Sequence, residues 1–222
     1  MRRRPLVVLG SGEHDFRNVH PIDWATVEAL MHRAIAAHAK PSATWSIRAA
    51  TPSDAEAIET LRVGVWKDVY RRILPDDYLD WLTATPEHIG HFREALRNTT
   101  SWRFIVAEAS GELIGYGGVG PINDYDFPPA TPGAGELRTL NVALLWQRRG
   151  VGRALLAPLT DALRDLGYES AILWTFRDNP AARAFYEANG WKLDRHGDFD
   201  LHGPRPMSAP AVRYVRSLNE AP

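Results

Sequence analysis

The sequence predicts an α/β fold, a single mixed sheet layer with helices on both faces. Three observations carry that reading. Apolar residues alternate in some segments and recur at helical spacing in others. The resulting order is one strand, a run of helices, three strands, a helix, a strand, a helix and two strands. The composition, 45% hydrophobic and 24% charged over 222 residues, suits one domain with an appendage rather than two full domains.

Each element has its own signal. Residues 1–40 hold four of the eight histidines (His14, His20, His32, His38) and six Lys/Arg against four Asp/Glu. Within them Trp24, Val27, Leu30, Met31, Ala34 and Ile35 have helical spacing, started by Pro21 and Asp23 and stopped by Pro41. The expectation is an N-terminal extension over 1–44 with one amphipathic helix, and a folded domain over 45–220. That helix packs on the domain or on a partner subunit, which is compatible with a homodimer. Gly10-Ser11-Gly12 lacks the third glycine of a dinucleotide loop, because Asp15 stands there, and reads as a turn.

Trp45–Ala49 alternates as a strand. Thr51-Pro52-Ser53-Asp54 starts a helix with a face of Ala57, Ile58, Leu61, Val65, Trp66 and Val69, and Leu74-Pro75 breaks it. Further helical stretches follow at 78–82 and 86–97. Trp102–Glu108 and Leu113–Val119 form a hairpin across Ser110-Gly111. Residues 121–135 read as a loop and Glu136–Ala143 as the fourth strand. Gly150–Leu166 is helical and closed by Gly167. Pro158 is expected to kink it, since the bond to the Ala154 carbonyl is lost. Ala171–Phe176 is a buried-type strand, Pro180–Asn189 a helix, and 191–194 and 212–218 the last strands.

Composition excludes several function classes. The formal charge is −1, so no basic face for nucleic acid is expected. There are no cysteines, which rules out a disulfide scaffold, a thiolate nucleophile and a Cys-ligated metal. The four N-terminal histidines share no i, i+4 ligand spacing, so no metal site is expected. No apolar run reaches the ~18 residues of a membrane span. The apolar stretch Leu6–Leu9 is too short for a signal peptide. The expected setting is cytoplasmic.

Two segments carry chemistry. Gln147-Arg148-Arg149-Gly150-Val151-Gly152 lies between a strand and a helix. Its glycines remove side chains that would screen the free amides of the helix start, and Arg148, Arg149 and Arg153 add positive charge. Free N–H groups at the positive end of a helix make an anion site, and a diphosphate is the natural guest. No Lys-Ser/Thr follows, so the segment is not a Walker loop. The second segment runs from Asn179-Pro180 to Gly190-Trp191. Asn179 would cap the helix, and Tyr186 lies two turns along the same face.

Together these segments resemble the GNAT superfamily of acyl-CoA-dependent N-acyltransferases. The family pattern Q/R-x-x-G-x-G/A is matched by Gln147, Gly150 and Gly152. The pattern N-x-x-A-x-x-x-Y-x-x-x-G-F/W is matched by Asn179, Ala182, Tyr186, Gly190 and Trp191. The likeness spans about residues 46–218. Asn141 departs from a common aromatic, and Ala143–Trp146 from a proline-containing turn. The resemblance implies a mixed, mostly antiparallel central sheet of about seven strands with splayed fourth and fifth strands. It implies that acetyl-CoA lies in that gap. Main-chain groups of Leu140, Asn141 and Val142 would pair with the pantetheine arm, and Gln147 and the amides of Arg149–Arg153, Val151 among them, would take the diphosphate. Asn179 and Ala182 would line the arm, and Tyr186 would face the sulfur.

The implied reaction is N-acetylation of a primary amine on a small molecule, by direct attack in a ternary complex. An alkylamine has a pKa near 10.4 and must lose a proton before it attacks. Glu136 is the expected base and Tyr186 the expected acid for the departing thiolate. Trp66, Tyr70, Asp76, Asp77 and Tyr78 lie where the family places its acceptor wall, and the loop with Asp124 and Tyr125 would join them. Aromatics and acids suit a cationic amine. The competing view of Trp66 is core packing. The alternatives for the whole chain are a peptide or protein N-terminal acetyltransferase and a non-catalytic acyl-CoA-binding module.

Overall fold

The computed structural model describes residues 44–122 and 133–219. The predicted helix at 22–40, Asp124 and Tyr125 lie outside the described residues. Seven strands form one sheet in the order β1-β2-β3-β4-β5-β7-β6. They are β1 (Ser46–Ala49), β2 (Arg103–Ala109), β3 (Glu112–Pro121), β4 (Ala134–Val142), β5 (Ser170–Phe176), β6 (Lys192–Leu201) and β7 (Met207–Ser217). Every neighbouring pair is antiparallel except β4 and β5.

That exception positions the site. The parallel pairing holds only at Ala134↔Ser170, Gly135↔Ala171 and Glu136↔Ile172. Beyond it, among the described residues, β4 pairs only with β3, and β5 only with β7. The β3–β4 register shifts between Gly118 and Val119, which leaves Arg138 as the extra residue. A bulge bends its strand and increases local twist, and here it falls where β4 leaves β5.

Helices cover both faces. They are α1 (Ala55–Val69), α2 (Asp76–Trp81), α3 (Pro86–Arg97), α4 (Val151–Asp165) and α5 (Pro180–Glu187). Leu155, Leu159 and Leu163 of α4 are buried in the core that includes Val119, Leu137 and Leu173 of the sheet. The approach is close, since a Cβ on Gly117 would come 2.3 Å from Leu159 Cδ1. On the opposite face Ile58 of α1 and Leu96 of α3 pack with Val106 and Tyr116. A third cluster joins α1, α2, β5, β6 and β7 through Val63, Leu79, Phe176, Leu201 and Ala209.

Local chemistry explains the starts. A short 3-10 turn at Pro52–Asp54 leads into α1. The Asp54 carboxylate accepts from the Thr51 amide at 2.7 Å and from both terminal nitrogens of Arg48 at 2.8 Å. The Arg48 hydrogen bonds, against a smaller opposing effect of burial, hold its carboxyl down at about 2. Helix α4 runs unbroken through Pro158. Packing of Leu155 and Leu159 on either side outweighs the missing hydrogen bond.

The last hairpin differs most from expectation. The sequence places strands at 191–194 and 212–218, whereas β6 runs on to Leu201 and β7 starts at Met207. Gly197, Pro210 and the intervening acids have poor strand propensity. Cross-strand pairing supplies what propensity lacks, from Lys192↔Val215 to Leu201↔Met207. Pro210 keeps its carbonyl in use, accepting from the Arg177 amide at 2.9 Å.

No helix among the described residues is long and apolar enough to cross a membrane.

Candidate active site

The gap between β4 and β5 opens into a cleft of about 1060 Å³. One end is built by the start of α4. Gly150 stands at φ +86° and Arg148 at φ +60°. This left-handed path turns the chain from the short 3-10 segment Leu144–Trp146 into α4. The first intrahelical bond runs from the Ala154 amide to the Gly150 carbonyl at 2.9 Å. The amides of Val151, Gly152 and Arg153 precede it and have no helical partner. Gly150, Gly152, Arg148 and Arg153 border the cleft. A Cβ on Gly150 would meet nothing within 4 Å, so its side is open.

Not every residue of this loop faces the cleft by its side chain. Val151 is a core residue, 1% exposed. The Arg149 guanidinium lies 5.4 Å from the Trp146 ring. Neither of these two residues borders the cleft. Gln147 borders the cleft, and its Nε2 donates to the Val142 carbonyl at 3.0 Å. This bond ties β4 to the loop.

The middle of the cleft lies between the two parted strands. Leu140, Asn141 and Val142 pair with Gly117, Tyr116 and Gly115 on one side and with no strand on the other. The Asn141 side chain turns to the sheet interior, where Nδ2 donates to Thr139 Oγ1 at 2.7 Å and Tyr116 Oη at 3.1 Å. Across the gap, Asn179 Oδ1 accepts from the Ala182 amide at 3.1 Å and caps α5. Its Nδ2 has no partner among the described residues, and both Asn179 and Ala182 border the cleft.

Tyr186 and Glu136 meet this middle section. Tyr186 is packed among Phe185, Trp191 and Tyr214, yet it borders the cleft and makes no hydrogen bond through its hydroxyl among the described residues. Burial, reinforced by Tyr70, pushes its phenol well above the ordinary value. Glu136 is 7% exposed at the apex of the wedge, the last residue of the parallel pairing. Arg138 Nη1 donates to Glu136 Oε2 at 3.1 Å.

The far end is aromatic. Trp66 of α1 and Tyr70, the residue after its end, border the cleft, with ring centroids 5.1 Å apart. Tyr70 meets Phe176 at 4.8 Å, Phe176 meets Phe199 at 5.0 Å, and Phe199 meets Trp174 at 6.3 Å. Burial raises the Tyr70 phenol to about 12. Trp66 packs against the third cluster and also borders the cleft. Behind it, the fully buried Glu59 accepts from Arg62 Nε and Nη2 at 2.7 Å each, and the Arg62 guanidinium lies 5.6 Å from the Trp66 ring. Tyr78 is buried instead, and Asp77 pairs with Arg205 at 3.0 Å.

Sequence reasoning missed the contribution of β6, whose residues 195–201 all border the cleft, as does His202 just beyond it. A signal was present. His196, Asp198, Asp200 and His202 alternate with Phe199 and Leu201, the period of a strand with one wet face.

Comparison with known proteins agrees with this architecture. The Acetyltransferase (GNAT) family model matches residues 66–191, more than half of the sequence, and the chain belongs to that family. Over 147 residues it is 32% identical to the aminoglycoside N(6')-acetyltransferase type 1 of Stenotrophomonas maltophilia, covering 66% of this chain and 86% of that protein. It is 28% identical over 164 residues to the uncharacterized N-acetyltransferase YuaI of Bacillus subtilis (strain 168), covering 72% and 87%. Among solved structures, the PaiA N-acetyltransferase from Thermoplasma acidophilum in complex with coenzyme A has a TM-score of 0.61 at 19% identity, covering 78% of this chain and 99% of that one. An acetyltransferase of the GNAT family from Staphylococcus aureus MU50 gives 0.58 at 17%, covering 79% and 100%. These two likenesses speak to the fold.

Proposed function

We propose that this protein moves an acetyl group from acetyl-CoA to a primary amine of a small molecule, by direct attack of the amine in a ternary complex. One observation carries the reading. A single cleft joins the first amides of α4 to the Tyr186 hydroxyl and the Glu136 carboxylate, through the gap where β4 and β5 part. The residues along it fit a diphosphate-bearing thioester. The amides of Val151, Gly152 and Arg153, with Arg148 and Arg153, suit the diphosphate. The free edge of Leu140–Val142 suits the amides of a pantetheine arm, as a strand partner would, and Asn179 Nδ2 offers a donor from the other side.

When bound, acetyl-CoA supplies a thioester carbonyl open to an amine and a thiolate that departs. Glu136 takes the proton of the incoming ammonium, directly or through water, because an alkylamine of pKa about 10.4 is otherwise charged at neutral pH. Arg138 holds that carboxylate in place. Tyr186 keeps its proton, since burial raises its phenol. Its role is therefore to donate a hydrogen bond toward the leaving sulfur rather than to surrender the proton, and the second proton lost by the amine goes to solvent or to the departing thiolate. Trp66 and Tyr70 form the acceptor wall in this reading, with Asp124 and Tyr125 assigned to it from the sequence alone.

The test is thiol release from acetyl-CoA over panels of small amines, antibiotics and peptides. Turnover of small amines is the expected result. Turnover of peptides alone would overturn the small-molecule assignment. Silence from all three, with coenzyme A still bound in calorimetry, would overturn the transferase.

A further inference from the structure

Strands β5, β7 and β6 meet in register at Trp174↔Arg213 and Arg213↔Arg195. Residues directly opposite on neighbouring strands share a face of the sheet, so both arginines stand beside Trp174. Glu136 shares that face through its pairing with Ile172, two residues before Trp174. The two arginines are treated differently by the fold. The β6–β7 register shifts between Leu193 and Arg195, which leaves Asp194 as the extra residue. Arg213 Nε donates to that Asp194 carboxylate at 2.6 Å, and the Arg213 guanidinium lies 5.8 Å from the Trp174 ring. Arg195 is half-buried, borders the cleft and has no ion-pair partner among the described residues.

Like charges placed directly opposite destabilise a strand pair. Arg195 adds a positive charge at the place where the wall is otherwise made of rings, from Trp66 and Tyr70 through Phe176 to Phe199 and Trp174. Asp198 and Asp200 also border the cleft, but strand alternation turns them to the other side from Arg195 and Phe199, and both are exposed. An aromatic wall ending in a guanidinium with no ion-pair partner among the described residues is complementary to an apolar body that bears an anion. Guanidinium binds carboxylate in bidentate fashion.

Resting on the transferase reading above, we infer that the acceptor is an aryl- or alkylamine that also carries a carboxylate, an acceptor of amino-acid type. Its apolar part lies on the ring wall, its carboxylate on Arg195 and its amine toward Glu136. Three strand spacings and two residues separate the two positions, roughly 16 Å between Cα atoms. A polycation such as an aminoglycoside meets repulsion from Arg195 and few hydrogen-bond partners on the rings.

The test compares matched acceptors that differ only in the carboxylate, phenylalanine with 2-phenylethylamine and tryptophan with tryptamine, beside kanamycin and spermidine. Thiol release from acetyl-CoA is measured for the wild type, Arg195→Gln and Arg195→Lys. The carboxylated members should be preferred in kcat/KM. Arg195→Gln should lower kcat/KM for them about tenfold or more, chiefly through KM, and should not lower it for the decarboxylated amines, while Arg195→Lys restores part of the loss. Because the substitution leaves the acidity of each amine untouched, the differential isolates the guanidinium. Preference for the decarboxylated amines or the polycations, or an equal effect of Arg195→Gln on both members of a pair, overturns this inference and leaves the transferase standing. No turnover from any member, with coenzyme A bound, removes both.

Discussion

At the α4–α5 end of the cleft the groups on offer are mostly main chain. They are three amides at a helix start, a strand edge without a partner, and one capping asparagine with a spare nitrogen. At the other end they are side chains, rings from α1, β5 and β6 and a guanidinium from β6. The first end is written within a few residues of chain, Gln147–Arg153 and Asn179–Tyr186. The second brings Trp66 together with Phe199. Main-chain sites depend on backbone conformation, so they leave glycine and cap residues at fixed spacing. Side-chain walls depend on packing between distant segments, which admits many sequences of similar shape.

Four substitutions break or sharpen that contrast. The largest effect is expected where the ends meet. Glu136→Gln should lower kcat about 100-fold or more at neutral pH, within the usual range for a lost general base, while calorimetric affinity for coenzyme A stays the same. A wild-type pH–rate profile in this variant would dismiss Glu136 as the base. Next, Gly150→Glu acts on the main-chain end alone. It sets a negative charge at the helix start and a side chain at φ +86°. Charge and strain together amount to about 3 kcal/mol, or a loss of coenzyme A affinity of about 100-fold. Unchanged affinity would refute the diphosphate assignment.

Tyr186→Phe removes one donor to a developing thiolate, and kcat should fall about tenfold to a hundredfold with cofactor affinity nearly intact. Its raised phenol also means that no loss of rate from Tyr186 ionisation is expected near pH 10. Equal loss of turnover and affinity would point to packing instead. The smallest effect belongs to Asp54→Asn, at the start of the helix that carries Trp66 and ends just before Tyr70. The folded carboxyl is held at about 2 against an ordinary 3.8, chiefly by Arg48. The native group therefore stabilises the fold above its ordinary value, and that contribution disappears as pH falls toward 2. Urea midpoints should show the variant less stable by about 1 kcal/mol at pH 7, after allowance for the partly exposed Arg48, with the difference shrinking as pH falls toward 2. An equal deficit at both pH values would assign the loss to packing.

Legibility in the sequence followed the same division. The α4 loop and the α5 cap were readable because each is a local rule about free amides and helix starts. Tyr186 was readable as a second-turn partner of Asn179. Even there, side-chain directions were not, as Val151 turned into the core and Arg149 lay against Trp146. The continuation of β6 through Gly197 and Asp198 was hidden because propensity argues against a strand there, and only pairing with β7 makes one.

By itself the sequence determined the succession of elements and the two glycine- and asparagine-marked helix starts, because each depends on near neighbours along the chain, and its composition excluded a cysteine nucleophile. The tertiary structure alone decided where β4 parts from β5, that Trp66 faces both core and cleft, and that Arg195 stands beside Arg213 without a carboxylate partner among the described residues. Those outcomes rest on strand register and on packing between segments far apart in sequence, where a shift of one residue would turn every side chain to the other face.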